Sequence, residues 1–217
     1  MNPTPLPPAR AYLFDLDGTL VDSNAMHVAS WAEIARLHGY PMQDPDHIGK
    51  CGLRTRDVIR HILRWPVDDA TATALGEAKE ALYRTWIRDR GIAPIPGAAD
   101  FLALAAARHI PCAVATSASP ANLSACLDAL RWRDRFQAIV CGTDVARGKP
   151  APDIFQLAAS RLGVPATDCL VFEDAPAGVA AAHAAGARVV ALLTSHTPDE
   201  LAAADLLLPD YLPLLPS

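Results

Sequence analysis

Two aspartates at the end of an apolar run are the side chains in this sequence best suited to chemistry. Asp15 and Asp17 follow the run Ala11 to Phe14, and Gly18 comes directly after them. Side chains alternate along a strand, so both carboxylates point to one face of it. A buried carboxylate is costly without a compensating cation, so the pair predicts a nearby metal ion or lysine. The alternative for an Asp-x-Asp-Gly segment is a simple turn.

Hydroxyl groups follow a second apolar run, Cys112 to Thr116. Thr116 and Ser117 lie where a strand ends and a helix is about to begin, and backbone N–H groups at such a point bind anions such as phosphate. Thr116 is the better ligand candidate because it stands at the strand tip. Ser119 precedes Pro120, which favours a helix cap over a ligand.

A lysine and two further acids complete the set of candidate residues. Lys149 stands in the turn Gly148 to Asp153, and Glu173 and Asp174 follow the run Cys169 to Phe172. Taken alone, the lysine indicates a solvated surface charge and the acids indicate a helix cap. Taken with the first aspartate pair, the acids are hard oxygen ligands that suit Mg²⁺, and an ammonium could bridge an attacking carboxylate and a phosphate oxygen.

The composition excludes several classes of protein. The net charge of -5 over 217 residues argues against broad nucleic-acid or anionic-membrane binding. The sequence has no apolar run near the ~20 residues that span a bilayer and no basic segment followed by an apolar one, so we expect a cytoplasmic protein without membrane contact. The 5 cysteines are odd in number and lack C-x-x-C spacing, which predicts free thiols.

The order of apolar and amphipathic segments predicts an α/β fold. Strand-like runs alternate with helical patterns, as in a parallel sheet that is covered on both faces. The predicted strands are 11–15, 112–116, 138–141, 169–172 and 188–193, and the predicted helices are 98–108, 121–130, 153–162 and 178–185.

One stretch interrupts this alternation. Residues 24–91 are helical in pattern with no convincing strand, so we expect an inserted helical domain within a core of residues 1–23 and 92–217. An insertion after the first strand leaves the core at the carboxyl ends of the strands, where open α/β sheets bind ligands, so it is placed to act as a lid. The proline-rich residues 2–8 predict an extended tail, and residues 209–217 predict irregular structure.

Together these motifs resemble the haloacid dehalogenase superfamily over nearly the whole chain. The resemblance implies a Rossmann-like core and makes Asp15 a nucleophile that forms an aspartyl phosphate. It makes Asp17 a general acid and base, and Thr116 and Lys149 phosphate ligands. The implied cofactor is Mg²⁺. Its implied ligands are the Asp15 carboxylate, the Asp17 backbone carbonyl and Asp174, with Glu173 bound directly or through water.

The insertion resembles the helical C1 cap of the sugar-phosphate phosphatases and beta-phosphoglucomutase. The segment 49–56 resembles a substrate-specificity loop, in which Gly52 and Arg54 are candidate substrate contacts and Lys50 and Arg56 are alternatives. His27 and Lys79 match cap positions of the mutase. The alternative for His27 is a packed polar residue near the hinge, and for Lys79 a solvated charge.

These features predict a Mg²⁺-dependent phosphatase that acts on a small phosphorylated metabolite, such as a sugar or polyol phosphate or a phosphoglycolate-like compound. A phosphomutase is the alternative among enzymes. A non-catalytic phosphometabolite-binding module is the alternative from another class, and it predicts a missing catalytic residue, which this sequence does not show. We expect a monomer or a weak dimer.

Overall fold

The computed structural model describes residues 3–48 and 58–216. The chain divides into two compact units, one formed by residues 1–22 and 92–217 and the other by residues 23–91. The candidate loop residues Gly52 and Arg54, with Lys50 and Arg56, lie outside the described residues. The helices are α1 (Asn24–His38), α2 (Pro45–Ile48), α3 (Asp69–Arg90), α4 (Ala98–Ala107), α5 (Pro120–Leu130), α6 (Asp153–Leu162) and α7 (Pro176–Ala184).

The first unit is built on a parallel sheet, as predicted. Over the described residues the sheet has 6 strands in the order β3-β2-β1-β4-β5-β6, and every neighbouring pair is parallel. The strands β1 and β4 lie at its centre, so the segments that follow β1, β2 and β4 meet at one edge. The strands are β1 (Ala11–Phe14), β2 (Cys112–Thr116), β3 (Ala138–Cys141), β4 (Cys169–Glu173), β5 (Arg188–Leu192) and β6 (Leu206–Leu208).

Both faces of this sheet are buried, and the two faces differ in composition. Leu13 and Val171 belong to a mainly aliphatic cluster with side chains of α6 and α7. The alternate positions Phe14 and Phe172 are stacked with ring centroids 4.9 Å apart, and Phe101 of α4 packs against them. Because successive side chains of a strand point to opposite faces, burial on both sides requires an uninterrupted apolar run. The predicted runs have this character.

The structure departs from the prediction at one edge of the sheet and in the C-terminal segment. Strand β6 was not predicted, because three leucines without alternation give no strand period. The ending 209–217 was predicted as irregular, yet Tyr211 is fully buried and residues Leu212–Leu214 form a 3₁₀ turn. The tail has no helix or strand over residues 3–9, as expected, and the Thr4 N–H donates to the Pro213 carbonyl at 2.7 Å.

The second unit is helical. Its described residues form α1, α2, α3 and a π-helical segment, Val58–Leu63, and they include no strand. A cluster of buried side chains holds these elements together, with Trp31 of α1 against Trp65 at a centroid distance of 5.8 Å. The Asp68 side chain caps α3 by accepting the Thr71 N–H at 2.8 Å. The described residues of this unit are therefore helical, in line with the predicted helical insertion.

A glycine anchors the C-terminal segment to the first unit, and it provides a test of this packing. Gly97 has a φ of +78°, and a Cβ added there would lie 2.9 Å from the Leu212 nitrogen. Gly163 has a φ of +68° with no atom within 4 Å of an added Cβ among the described residues. We expect Gly163→Ala to lower the free energy of unfolding by about 1–2 kcal/mol through backbone strain alone. Gly97→Ala should lower it by about 2–4 kcal/mol, because overlap adds to the strain.

Denaturant unfolding of both variants measures this difference. Equal losses in the two variants would show that residues 211 and 212 do not pack on Gly97.

Candidate functional site

Three sequence-distant residues meet at the carboxyl edge of the sheet. The Lys149 Nζ donates to Asp15 Oδ1 at 2.5 Å and to Glu173 Oε1 at 2.6 Å. Asp15 directly follows β1, and its N–H donates to the Phe172 carbonyl of β4 at 3.0 Å. The side chains of all three residues are at most 10% exposed. The expected pairing of the opening aspartate with a lysine is therefore present, and Lys149 is not a solvated surface charge.

The turn before α6 places this lysine. The Ala151 N–H donates to the Gly148 carbonyl at 3.0 Å, which closes the turn around Lys149. The ammonium also lies 5.0 Å from the centroid of the Phe155 ring, a cation–π contact from the first turn of α6. The closed turn therefore fixes the backbone of Lys149, and the Phe155 ring contacts its ammonium.

The segment between β4 and α7 fixes Glu173. Its Oε2 accepts the N–H of Asp174 at 2.8 Å and of Ala175 at 3.0 Å, while Oε1 accepts from Lys149. A Cβ on Gly178 would overlap this carboxylate, so α7 must carry a glycine here. Both oxygens of Glu173 are engaged by the protein, which makes it the residue that holds Lys149. Metal binding by Glu173, directly or through water, stays a prediction.

Asp174 is held by hydroxyl groups from two other segments. The Ser195 Oγ donates to its Oδ2, and the Thr19 Oγ1 donates to its Oδ1 at 3.4 Å. The Asp174 side chain packs directly over Gly18, whose φ is +71° and where an added Cβ would overlap the carboxylate. The sequence reasoning missed Ser195, although the polar run after β5 was the signal that could have found it.

Asp17 differs from Asp15 in its surroundings. Asp17 is half-buried, whereas Asp15 is only 7% exposed. The backbone reverses here, because the Gly18 N–H donates to the Val21 carbonyl at 2.9 Å. The unequal exposure fits a division of labour in which the more accessible carboxyl exchanges protons.

The predicted phosphate-binding residues lie at the end of β2. Thr116 is buried, and its Oγ1 accepts the Ala118 N–H at 3.0 Å, whereas Ser117 is exposed. Since β2 pairs with β1 and Phe14 aligns with Val114, Thr116 lies at the same edge of the sheet as Asp15. Ser119 caps α5 by accepting the Asn122 N–H at 3.3 Å, as predicted.

The electrostatics of the site show an excess of negative charge. Burial raises the pKa of Asp15 to about 7, although Lys149 acts to lower it. Burial also raises the pKa of Asp174 well above its usual range, and the charges of Glu173 and Asp15 add to this rise. Burial alone would lower the pKa of Lys149, but the two carboxylates it contacts outweigh burial and raise it. The neighbouring carboxylates therefore raise the pKa of Asp15 and of Asp174, because like charges lie close together in a buried site.

The donor set fits Mg²⁺ only with ligands from outside the chain. Among the described residues, no group of three or more His, Cys, Asp or Glu side chains is placed to hold a metal ion. Mg²⁺ commonly takes one or two carboxylates and fills its remaining positions with waters and substrate phosphate oxygens. Asp15 and Asp174, two buried carboxylates at one edge, match that requirement.

The predicted cap residues form a cluster of their own within the helical unit. The Lys79 Nζ lies 2.7 Å from His27 Nδ1 and 3.1 Å from Glu80 Oε1. His27 stacks on Tyr83 with centroids 4.1 Å apart, and the Lys79 ammonium lies 5.7 Å from the Trp31 ring. Lys79 is only 3% exposed, which excludes the alternative of a solvated charge, and its contact with substrate stays a prediction. The apolar stem and the charged head of this lysine are both enclosed by α1 and α3.

Comparison with known proteins agrees with this arrangement. A haloacid dehalogenase-like hydrolase family matches residues 9–186. The chain belongs to this family. It is therefore an enzyme of the haloacid dehalogenase-like hydrolases, as the sequence motifs predicted.

Several relatives in the family are phosphatases. Fructose-1-phosphate phosphatase YqaB from Escherichia coli (strain K12) is 35% identical over 178 residues, which cover 82% of this chain and 93% of the relative. Hexitol phosphatase A from the same organism is 31% identical over 205 residues, covering 92% and 90%. The crystal structure of a CbbY variant from Rhodobacter sphaeroides in complex with xylulose-(1,5)bisphosphate has a TM-score of 0.81 at 30% identity, covering 94% and 95%.

The contact between Gly178 and Glu173 gives a test of the site. Alanine is normally the better helix former by about 1 kcal/mol, so an alanine at 178 would stabilise an unconstrained helix. Here we expect Gly178→Ala to lower the free energy of unfolding by about 1–3 kcal/mol, because the added Cβ displaces the Glu173 carboxylate.

Gly148→Ala is the matched control, since a Cβ there meets no described atom within 4 Å. Denaturant unfolding of both variants checks the expectation. A Gly178→Ala variant more stable than the wild type would contradict the placement of Glu173.

Proposed function

We propose that this enzyme hydrolyses a small sugar or polyol phosphate with Mg²⁺, through a phosphorylated Asp15. The observation that carries the proposal is the Lys149 ammonium between Asp15 and Glu173, with hydrogen bonds of 2.5 and 2.6 Å. An ammonium in this position damps the repulsion between an attacking carboxylate and an anionic phosphate. Two relatives are named as a fructose-1-phosphate phosphatase and a hexitol phosphatase, and these names support the proposed substrate class.

The reaction divides into two displacements at phosphorus. An oxygen of the Asp15 carboxylate forms a bond to phosphorus as the bond to the sugar oxygen breaks, and Asp17 gives its proton to the leaving alkoxide. Asp17 then takes a proton from a water molecule. The oxygen of that water bonds to phosphorus, the bond to Asp15 breaks, and inorganic phosphate leaves.

Other residues of the chain hold the phosphoryl group during these steps. Lys149 neutralises the charge of its oxygens, and the Thr116 hydroxyl orients them. The backbone N–H groups at the tip of β2, including that of Ser117, are further donors to the phosphoryl oxygens. Mg²⁺, held by Asp15, Asp174 and the Asp17 carbonyl, would supply further charge neutralisation at the phosphoryl oxygens. Glu173 keeps the ammonium aimed at Asp15.

The nucleophile assignment predicts the behaviour of two matched variants. We expect Asp15→Asn to lower kcat by at least about 10³-fold, because an amide does not attack phosphorus. Asp22→Asn makes the same change at an exposed aspartate seven positions later and should keep the wild-type rate. Phosphate release from the best substrate of a sugar-phosphate panel measures both. Sustained Mg²⁺-dependent hydrolysis by a folded Asp15→Asn variant would refute the assignment.

The metal requirement and the reaction type are tested on the same panel. Chelation by EDTA should abolish phosphate release, and added Mg²⁺ should restore it. The panel should include ketose 1-phosphates, hexitol phosphates, a pentulose bisphosphate and a hexose 1-phosphate. With the last of these, a 6-phosphate isomer that accumulates with little free phosphate would identify a phosphomutase and overturn the hydrolase proposal.

The helical unit is proposed to select the substrate. His27 and Lys79 lie 2.7 Å apart, His27 stacks on Tyr83, and the Lys79 ammonium lies 5.7 Å from the Trp31 ring, so both are proposed to face the substrate from a packed cluster. Gly52 and Arg54 remain predicted substrate contacts from the sequence alone.

A further inference from the structure

Three consecutive residues shortly after β5, Thr194, Ser195 and His196, all bond to the candidate metal site. The Thr194 Oγ1 donates to the Gly18 carbonyl at 2.5 Å, and the Ser195 Oγ donates to Asp174 Oδ2. The His196 Nδ1 lies 3.0 Å from the Asp174 backbone carbonyl, which accepts the hydrogen bond. Because β5 pairs with β4 in the sheet, this segment ends at the same edge as Asp174. Side chain and backbone of Asp174 are thus both fixed by consecutive residues.

Ser195 is packed tightly into this arrangement. It is 7% exposed, and an added Cβ on Gly18 would lie 2.6 Å from its Oγ as well as overlapping Asp174. The hydroxyl, the carboxylate and the Gly18 Cα therefore share one small space. A side chain at position 18 or a displaced Ser195 would move the carboxylate.

The chemistry of a hydroxyl suits the neighbour of a metal ligand. Lys149 bonds to Asp15 and Glu173, whereas the hydrogen bonds given above for the Asp174 side chain come from the hydroxyls of Ser195 and Thr19. A neutral donor orients a carboxylate without adding a positive charge that would repel Mg²⁺. It also leaves further lone pairs on the carboxylate for a cation. Outer partners of this kind typically change metal affinity by about 10- to 100-fold.

We propose that Ser195 is a positioning residue that orients the Asp174 carboxylate for Mg²⁺. This inference rests on the proposed function, in which Asp174 is a metal ligand. The Ser195 hydroxyl sets the direction of Oδ2, and the Thr194 and His196 hydrogen bonds hold Ser195 at its place.

Mg²⁺ binding without substrate tests this role. The rise in Tm with Mg²⁺ concentration gives a Kd for the wild type and for the variants Ser195→Ala, Ser195→Cys and Ser195→Thr. We expect the Kd to rise about 10- to 100-fold in Ser195→Ala. Ser195→Cys keeps the side-chain size with a much weaker donor and should show a similar rise, whereas Ser195→Thr keeps the hydroxyl and should restore affinity. Excess Mg²⁺ should restore the kcat of Ser195→Ala.

Ser119→Ala is the matched control at the same edge of the sheet. It removes a hydroxyl that caps α5, so it should lower Tm without Mg²⁺ and leave the Kd unchanged. A wild-type Kd for Mg²⁺ in either Ser195→Ala or Ser195→Cys would overturn the inference. If Ser195→Ala does not fold, the Kd of Ser195→Cys alone is the test. A wild type whose Tm does not respond to Mg²⁺ and whose hydrolysis survives EDTA would instead overturn the proposed function.

Discussion

The placement of one ammonium among buried acids is the constraint on which this site depends. Lys149 lies within hydrogen-bonding distance of both Asp15 and Glu173, at the point where strands from distant parts of the sequence end together. Without that cation the two carboxylates would face each other in a low-dielectric interior, where repulsion would move or protonate them. The turn around Lys149, the backbone bonds to Glu173 and the cation–π contact with Phe155 all serve to keep the ammonium in place.

The parallel sheet explains why such distant residues meet. Strand β1 lies between β2 and β4, so the segments after these strands are neighbours although about 55 to 160 residues separate them along the chain. The aliphatic and aromatic faces of the sheet hold the strands in register, and register sets which residue stands first beyond each strand. The positions of the site residues at the edge of the sheet therefore depend on the packing of the core.

The sequence predicted the central strands and most of the site because each signal was local. A continuous apolar run followed by Asp15 or by Glu173 and Asp174 identifies both a buried strand and its tip. Contacts across the fold gave no such signal. The position of Ser195 beside Asp174 depends on the pairing of β5 with β4, which the sequence around Ser195 does not indicate. In the same way, the three leucines of β6 form a strand because they pair with β5 at the edge of the sheet. The burial of Lys79 also had no local signal, since its aromatic enclosure comes from two helices far apart in sequence.

The contact between Gly178 and Glu173 has a consequence for how this fold can change over evolutionary time. The acid and the glycine are on different elements, yet the carboxylate occupies the volume that any side chain at 178 would need. The effect of a substitution at 173 or 178 therefore depends on which residue stands at the other position. We expect lineages that retain the acid to keep a glycine in α7, and lineages that lose the acid to tolerate a side chain there. The two positions should co-vary as a pair in an alignment of homologues.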